Sequence, residues 1–241
     1  MNIFTNLFPK NLSRLIAITA VSFSMLAFNS CKKSDEVTVQ ATVLSVVNTS
    51  PTLGTYNVYL NDTKINPVAL PFGGRTAYAQ YTAGDFSIKV TTANAVDNLL
   101  SKSITLADQT AYSYYLIGKT PNLDGLLVTD DLSTYSADKA FVRFINLSPD
   151  APTLDLFVKD ATTPLIADKA YKAVSGFIAV DPAVYSYDIK EKASGTKRGI
   201  SFPTGAALVA GKYYTVIARG LLGAPVDGTD QPFSGQVLIN N

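Results

Sequence analysis

An internal repeat constrains this chain more than any other feature. Residues 48–62 read NTSPTLGTYNVYLND, and residues 146–160 read NLSPDAPTLDLFVKD. Aligned without a gap, they share Asn48/Asn146, Ser50/Ser148, Pro51/Pro149, Thr55/Thr153 and Asp62/Asp160. Large apolar residues also correspond: Tyr56, Val58 and Leu60 match Leu154, Leu156 and Val158. The correspondence continues downstream. Segment 86–90 parallels 185–189, and 112–118 parallels 214–220. Each copy closes on an apolar run, 126–128 and 237–239. Such a chain folds as two units of one kind.

The units are built of strands. FSIKV at 86–90 and YSYDI at 185–189 alternate large apolar with polar residues, the period of a half-buried strand. β-Branched and aromatic runs at 43–47 and 141–145 precede each Asn-x-Ser-Pro, and segments 76–82 and 173–180 read as further strands. Turn residues fall between them, at 72–74, 83–85, 181–182, 194–195 and 210–211. No amphipathic helix is legible. About seven strands in about 100 residues, twice, predict an all-β protein of two tandem immunoglobulin-like antiparallel β-sandwiches. The first spans 40–130, a polar linker 131–139, and the second 140–241.

The amino terminus reads as an address. Lys10 and Arg14 precede LIAITAVSFSMLAF, fourteen uncharged and mostly apolar residues, too few for a membrane-spanning helix. A basic start and a short apolar run are a secretory signal, expected over 1–30 and removed. No cut near its end places small residues at both −3 and −1. Phe28-Asn29-Ser30-Cys31 instead resembles a relaxed lipobox, with Phe28 where Leu is usual. FNSCKKSDE is similar to the corresponding stretch of Bacteroidetes lipoproteins. That resemblance implies a diacylglycerol thioether on Cys31, a tether over 31–39, and an outer-membrane location on the periplasmic or cell-surface face.

A second resemblance covers the repeats. RFINLSPDAP at 143–152, followed by LDLF at 154–157, is similar to the opening motif of DUF 4397, a domain of unknown function in bacterial surface proteins and lipoproteins. Tyr213-Tyr214-Thr215-Val216 and Gly220 resemble its other signature strand. The first copy keeps Asn48, Ser50 and Pro51 but has Thr52-Leu53-Gly54 where the second has Asp150-Ala151-Pro152. The resemblance implies a fold and no activity.

The composition excludes much chemistry. The chain has no His, the commonest general base and metal ligand. Its single Cys excludes an internal disulfide. With 20 basic and 19 acidic residues, nothing points to nucleic acid. No cofactor and no metal are expected. Acid/base work would fall to carboxylates, with Asp130/Asp131 and Asp227/Asp230 the candidate pairs. An enzyme of the glycoside-hydrolase kind, using Asp residues between the sandwiches, is the alternative to a non-catalytic module. Asp227-Gly228-Thr229-Asp230 lacks calcium-loop spacing.

Asn48, Ser50 and Pro51, with Asn146, Ser148, Pro149 and Asp150, read as structural corners, since proline marks a strand exit and Asn and Ser bond nearby backbone. Tyr56, Tyr112, Tyr114, Tyr185, Tyr187 and Tyr214 fall in step with core positions. Tyr59, Tyr115 and Phe157 fall on the opposite faces of their strands. If exposed, they are candidate ligand contacts. The chain is therefore expected to be a lipid-anchored envelope protein, a binding or structural module in glycan capture, adhesion or envelope assembly. Its expected partners are the membrane, through Cys31, and a glycan or envelope protein.

Overall fold

The computed structural model describes residues 41–94, 97–134, 136–205, 207–224 and 228–240. The signal segment, Cys31 and the tether lie outside the described residues, as does Asp227.

The first repeat contains β1 (Ala41–Asn48), β2 (Tyr56–Leu60), β3 (Thr63–Lys64), β4 (Ala79–Thr82), β5 (Gly84–Thr92), β6 (Asn98–Leu106), β7 (Ala111–Ile117) and β8 (Asp124–Asp130). The second contains β9 (Ala140–Asn146), β10 (Leu154–Val158), β11 (Ile166–Lys169), β12 (Ile178–Val180), β13 (Ser186–Glu191), β14 (Lys197–Pro203), β15 (Tyr213–Arg219) and β16 (Ser234–Ile239). Every strand of the first repeat has a counterpart in the second. The first forms sheets β4-β1-β7-β8 and β3-β2-β5-β6. The second forms β12-β9-β15-β16 and β11-β10-β13-β14, the same order eight strands later.

The all-β, two-sandwich expectation holds, with one correction. Each sandwich contains a parallel pairing, β1 with β7 and β9 with β15. Side-chain alternation fixes which face a residue takes, not the direction of the neighbouring strand, so the sequence was silent on this.

Each sandwich closes over its own core. Leu44, Val46, Val58, Ile88, Val90 and Tyr114 fill the first. Val142, Phe144, Leu156, Tyr187, Ile189 and Val216 fill the second. A third cluster joins the two repeats. Val47, Tyr115, Ile117 and Val128 from β1, β7 and β8 pack on Ile145, Leu147, Ile217 and Leu238 from the second repeat. The sheets containing β1 and β9 therefore lie face to face, each with both faces covered. That is why all seven residues of β9 are buried, and six of seven in both β7 and β15. Such strands read as nearly continuous apolar runs. Val47/Ile145, Tyr115/Ile217 and Val128/Leu238 are equivalent positions of the two repeats, so the contact is self-complementary, like that of a two-fold dimer.

Two shared residues owe their identity to backbone geometry. Asp62 and Asp160 both sit at positive φ, 62° and 65°, in the turns leaving β2 and β10. Asp tolerates that region better than most residues. Gly118 and Gly220, at φ 66° and 81°, end β7 and β15. A Cβ there would stand 2.5 Å from the Asn122 carbonyl oxygen and 2.2 Å from that of Pro232.

Candidate functional site

The repeated Asn-x-Ser-Pro segments form the same corner twice. The Ser50 N–H donates to Asn48 Oδ1 at 3.0 Å, while Asn48 Nδ2 donates to the Leu70 carbonyl at 3.0 Å. In the second repeat the Ser148 N–H donates to Asn146 Oδ1 at 3.1 Å, and Asn146 Nδ2 reaches the Lys169 and Pro152 carbonyls at 3.1 and 3.3 Å. All four side chains are buried. Each Asn thus ties a strand exit to the loop that crosses it.

Asp150 has its own task. Its two carboxylate oxygens accept the Leu222 and Gly223 N–H groups, both at 3.0 Å. It clamps the start of the long loop between β15 and β16. The corresponding β7–β8 loop is much shorter, and Thr52 stands where Asp150 would be, bonded to the Tyr56 hydroxyl at 3.1 Å and to the Gly54 N–H at 3.2 Å. The difference between the two motifs follows the difference between the loops they hold.

Both corners open onto one cleft. Pro51, Gly118, Lys119, Pro121, Asn122, Leu123 and Asp124 of the first repeat line it with Pro149, Tyr171, Lys172 and Leu221 of the second. Its volume is about 690 Å³, inside the range of small-ligand sites. It lies beyond the carboxyl ends of β1, β7, β9 and β15. The loop after β15 crosses over to the first repeat here, since the Leu53 N–H donates to Thr229 O and the Gln231 N–H to Pro51 O, each at 3.0 Å. Lys119 pairs with Asp230 at 2.6 Å. Asp124 receives Lys102 at 2.6 Å and Lys172 at 3.0 Å. Partial burial would raise the Asp124 carboxyl, but these two ammonium groups and the Gly125 N–H hold it at about 2. Lys172 also lies over the Tyr171 ring, 5.4 Å from its centre.

A polar network crosses the interface nearer the other end. Arg143 and Asp130 form an ion pair whose side chains are 2% and 0% exposed. Arg143 Nε donates to Thr215 Oγ1 at 2.8 Å and Nη1 to the Thr129 carbonyl at 3.1 Å. Its guanidinium also lies 4.6 Å from the centre of the Phe177 ring. Asp130 Oδ2 accepts the Tyr78 hydroxyl at 2.5 Å and the Ser113 hydroxyl at 2.7 Å. Thr215 donates to Asn240 at 2.6 Å, and Asn240 donates to Tyr78 at 3.0 Å. The ring of bonds closes across both repeats. Burial, and secondarily Asp130, pushes the Tyr78 phenol well above its usual range.

These facts revise several expectations. Asp130 is no member of an acid pair. It ends β8, buried against Arg143, while Asp131 is exposed and held by the Ser133 N–H at 3.0 Å. The sequence reading placed the pair at a linker because it had no view of the second repeat folding back. Asp230 serves Lys119. Every described carboxylate whose pKa departs from its usual value is lowered, namely Asp124, Asp131, Asp138, Asp168, Asp188 and Glu191. A glycosidase acid must be raised instead. Among the described residues no group of three or more acids is gathered to hold a metal.

The three aromatic candidates lie on three different faces. Tyr115 does fall on the face opposite the core, but the second repeat covers that face and leaves it 0% exposed. Phe157 is 9% exposed, with Lys190 4.1 Å from its ring centre. Only Tyr59 stays half-exposed, beneath Lys89 at 5.8 Å. The sequence reading missed Lys119, Tyr171 and Lys172. No periodicity marks them, since they sit on loops that only the interface brings together.

The family described as "Domain of unknown function (DUF4397)" matches residues 42–157. Those residues belong to the DUF4397 family. The DUF4397 segment runs from β1 through nearly all of β10 and so takes in the opening motif of both repeats. The remainder of the second repeat lies beyond the DUF4397 match, although β11 to β16 repeat the order of β3 to β8. No curated protein matches the chain. Among solved structures, a family 26 carbohydrate-binding module of Eubacterium rectale Amy13K, in complex with maltoheptaose, is 12% identical, with 81% of this chain and 95% of that one covered and a TM-score of 0.25. A candidate cell adhesion protein from Bacteroides eggerthii is 11% identical over 83% and 95%, with a TM-score of 0.24. At these TM-scores neither likeness bears on what the chain binds.

Proposed function

We propose that this DUF4397 protein is a non-catalytic binding module, held on the outer membrane by a lipid on Cys31, and that the cleft between its repeats takes the ligand. One observation carries the reading: the cleft is built from the signature corners of both repeats and lies beyond the carboxyl end of β1. β1 starts at Ala41, and its eight residues span about 26 Å before the corner is reached. The lowered carboxylates and the absence of His support a role in binding rather than in acid/base chemistry.

Two measurements test this. Cys31→Ser should move the protein from the membrane to the soluble fraction and leave it unlipidated; retention with unchanged processing overturns the anchor. A thermal-shift screen of the chain from Lys32 onward should include neutral and acidic glycans, calcium and a chelator. A ligand at 100 times its dissociation constant adds about 2.7 kcal/mol. A shift with a glycan supports the module, and a shift lost with the chelator returns attention to the Asp loops.

A further inference from the structure

Lys119 and Lys172 come to the cleft from different repeats, Lys119 from the β7–β8 loop and Lys172 from the β11–β12 loop. Each makes a single hydrogen bond to a carboxylate, to Asp230 and to Asp124. An ammonium has three donors, so each lysine keeps two for a ligand. Their exposure, 46% and 42%, leaves those donors reachable. Among the described residues that line the cleft, the charged ones are Lys119, Lys172 and Asp124. The chain after Ser30 has the opposite balance, 19 acidic residues against 18 basic once Lys10 and Arg14 are removed. The cleft is therefore locally cationic on a slightly anionic protein. The lining is mixed: Pro51, Pro121, Pro149, Leu221 and Tyr171 stand beside the polar Asn122 and Asp124. Prolines and an aromatic ring offer a surface for C–H groups but few donors or acceptors. About 690 Å³ accommodates one to a few sugar rings.

We infer that the cleft binds a sugar carrying an anionic group, carboxylate or phosphate, with the ring against the prolines and Tyr171 and the anion between Lys119 and Lys172. The inference rests on the cleft being the binding site. Lysine meets either anion as a point charge, so both chemistries fit.

The test is calorimetric titration of the chain from Lys32 onward with oligogalacturonate, glucose 6-phosphate and neutral maltotriose. An anionic sugar should bind, more weakly as salt rises, and maltotriose at least tenfold less tightly. Oligogalacturonate and glucose 6-phosphate separate the carboxylate from the phosphate source. Lys172→Ala should cost about tenfold in affinity. It should leave the fold intact, because Lys102 still serves Asp124. Lys192→Ala, whose lysine pairs with Asp168 and does not line the cleft, should change nothing. Equal binding of maltotriose, reduced by Tyr171→Ala, overturns the anionic class and keeps the cleft. Binding untouched by Lys172→Ala and Tyr171→Ala, or no binding by any of the three sugars, overturns the inference.

Discussion

The two repeats share a strand order and differ where they touch. Ser45, Ser113 and Asp130 of the first occupy the positions of Arg143, Thr215 and Asn240 in the second. In both, the hydroxyl of β7 or β15 bonds the last polar residue, Ser113 to Asp130 at 2.7 Å and Thr215 to Asn240 at 2.6 Å. Yet only one side supplies the carboxylate and only the other the guanidinium. Ser45 instead bonds the Thr76 carbonyl of its own sandwich at 2.8 Å. Two copies of the first repeat would bring two carboxylates here, and two copies of the second two guanidinium groups. Divergence at three positions turns a self-complementary apolar contact into a directional one. The fold is repeated, while the chemistry of the interface is divided between the copies.

The strongest way to break that division is Asp130→Ala. It strands the Arg143 guanidinium in a site where that side chain is 2% exposed. The cost should be about 3–5 kcal/mol, read from the urea midpoint. Replacing both members, Arg143→Leu with Asp130→Leu, should restore most of it, because the desolvation cost goes with the pair. A double variant as weak as the single would mean the pair contributes more than it costs to bury.

The corners should behave alike in both copies. Asn48→Ala and Asn146→Ala each take the Oδ1 acceptor from a buried Ser N–H and remove the side-chain tie to the facing backbone. Each should cost about 2–3 kcal/mol of unfolding free energy. A large cost in one copy and none in the other would show that the matching sequence hides unequal roles.

The smallest effect sharpens the cleft. Asp124 is held at about 2, below its usual 3.8. A carboxylate lowered by folding stabilises the fold above its unfolded pKa, and that contribution is lost as pH falls through the folded value. Wild type and Asp124→Asn should therefore differ at pH 6 and converge near pH 2. The side chain is 36% exposed, so the difference at pH 6 should stay within about 1 kcal/mol. The test is urea unfolding of both proteins at each pH.

Much of the fold was legible in the sequence. The matched segments 48–62 and 146–160 gave the repeat, and alternation at 86–90 and 185–189 gave β5 and β13. The edge strands of the two outer sheets, β3, β6, β11 and β14, were not legible. β6, NLLSKSITL, and β14, KRGISFP, keep no sustained alternation of apolar and polar residues, and most of their residues are exposed. The interface was also hidden. Alternation placed Tyr115 correctly on the second face of β7 but could not say that a second sheet lay against it. Nothing in the sequence tied Arg143 to Asp130, which belongs to the other repeat. The candidate site was least legible, since its lysines and tyrosine sit on loops without period or motif.

The central claim is that the apolar cluster between the repeats makes their two cores unfold together. Calorimetric unfolding of the chain from Lys32 onward tests it most directly. One transition, with calorimetric and van't Hoff enthalpies equal, is the predicted result. Two resolved transitions, each near half the total enthalpy, would mean that the sandwiches stand alone and that the cleft between them is not a fixed site.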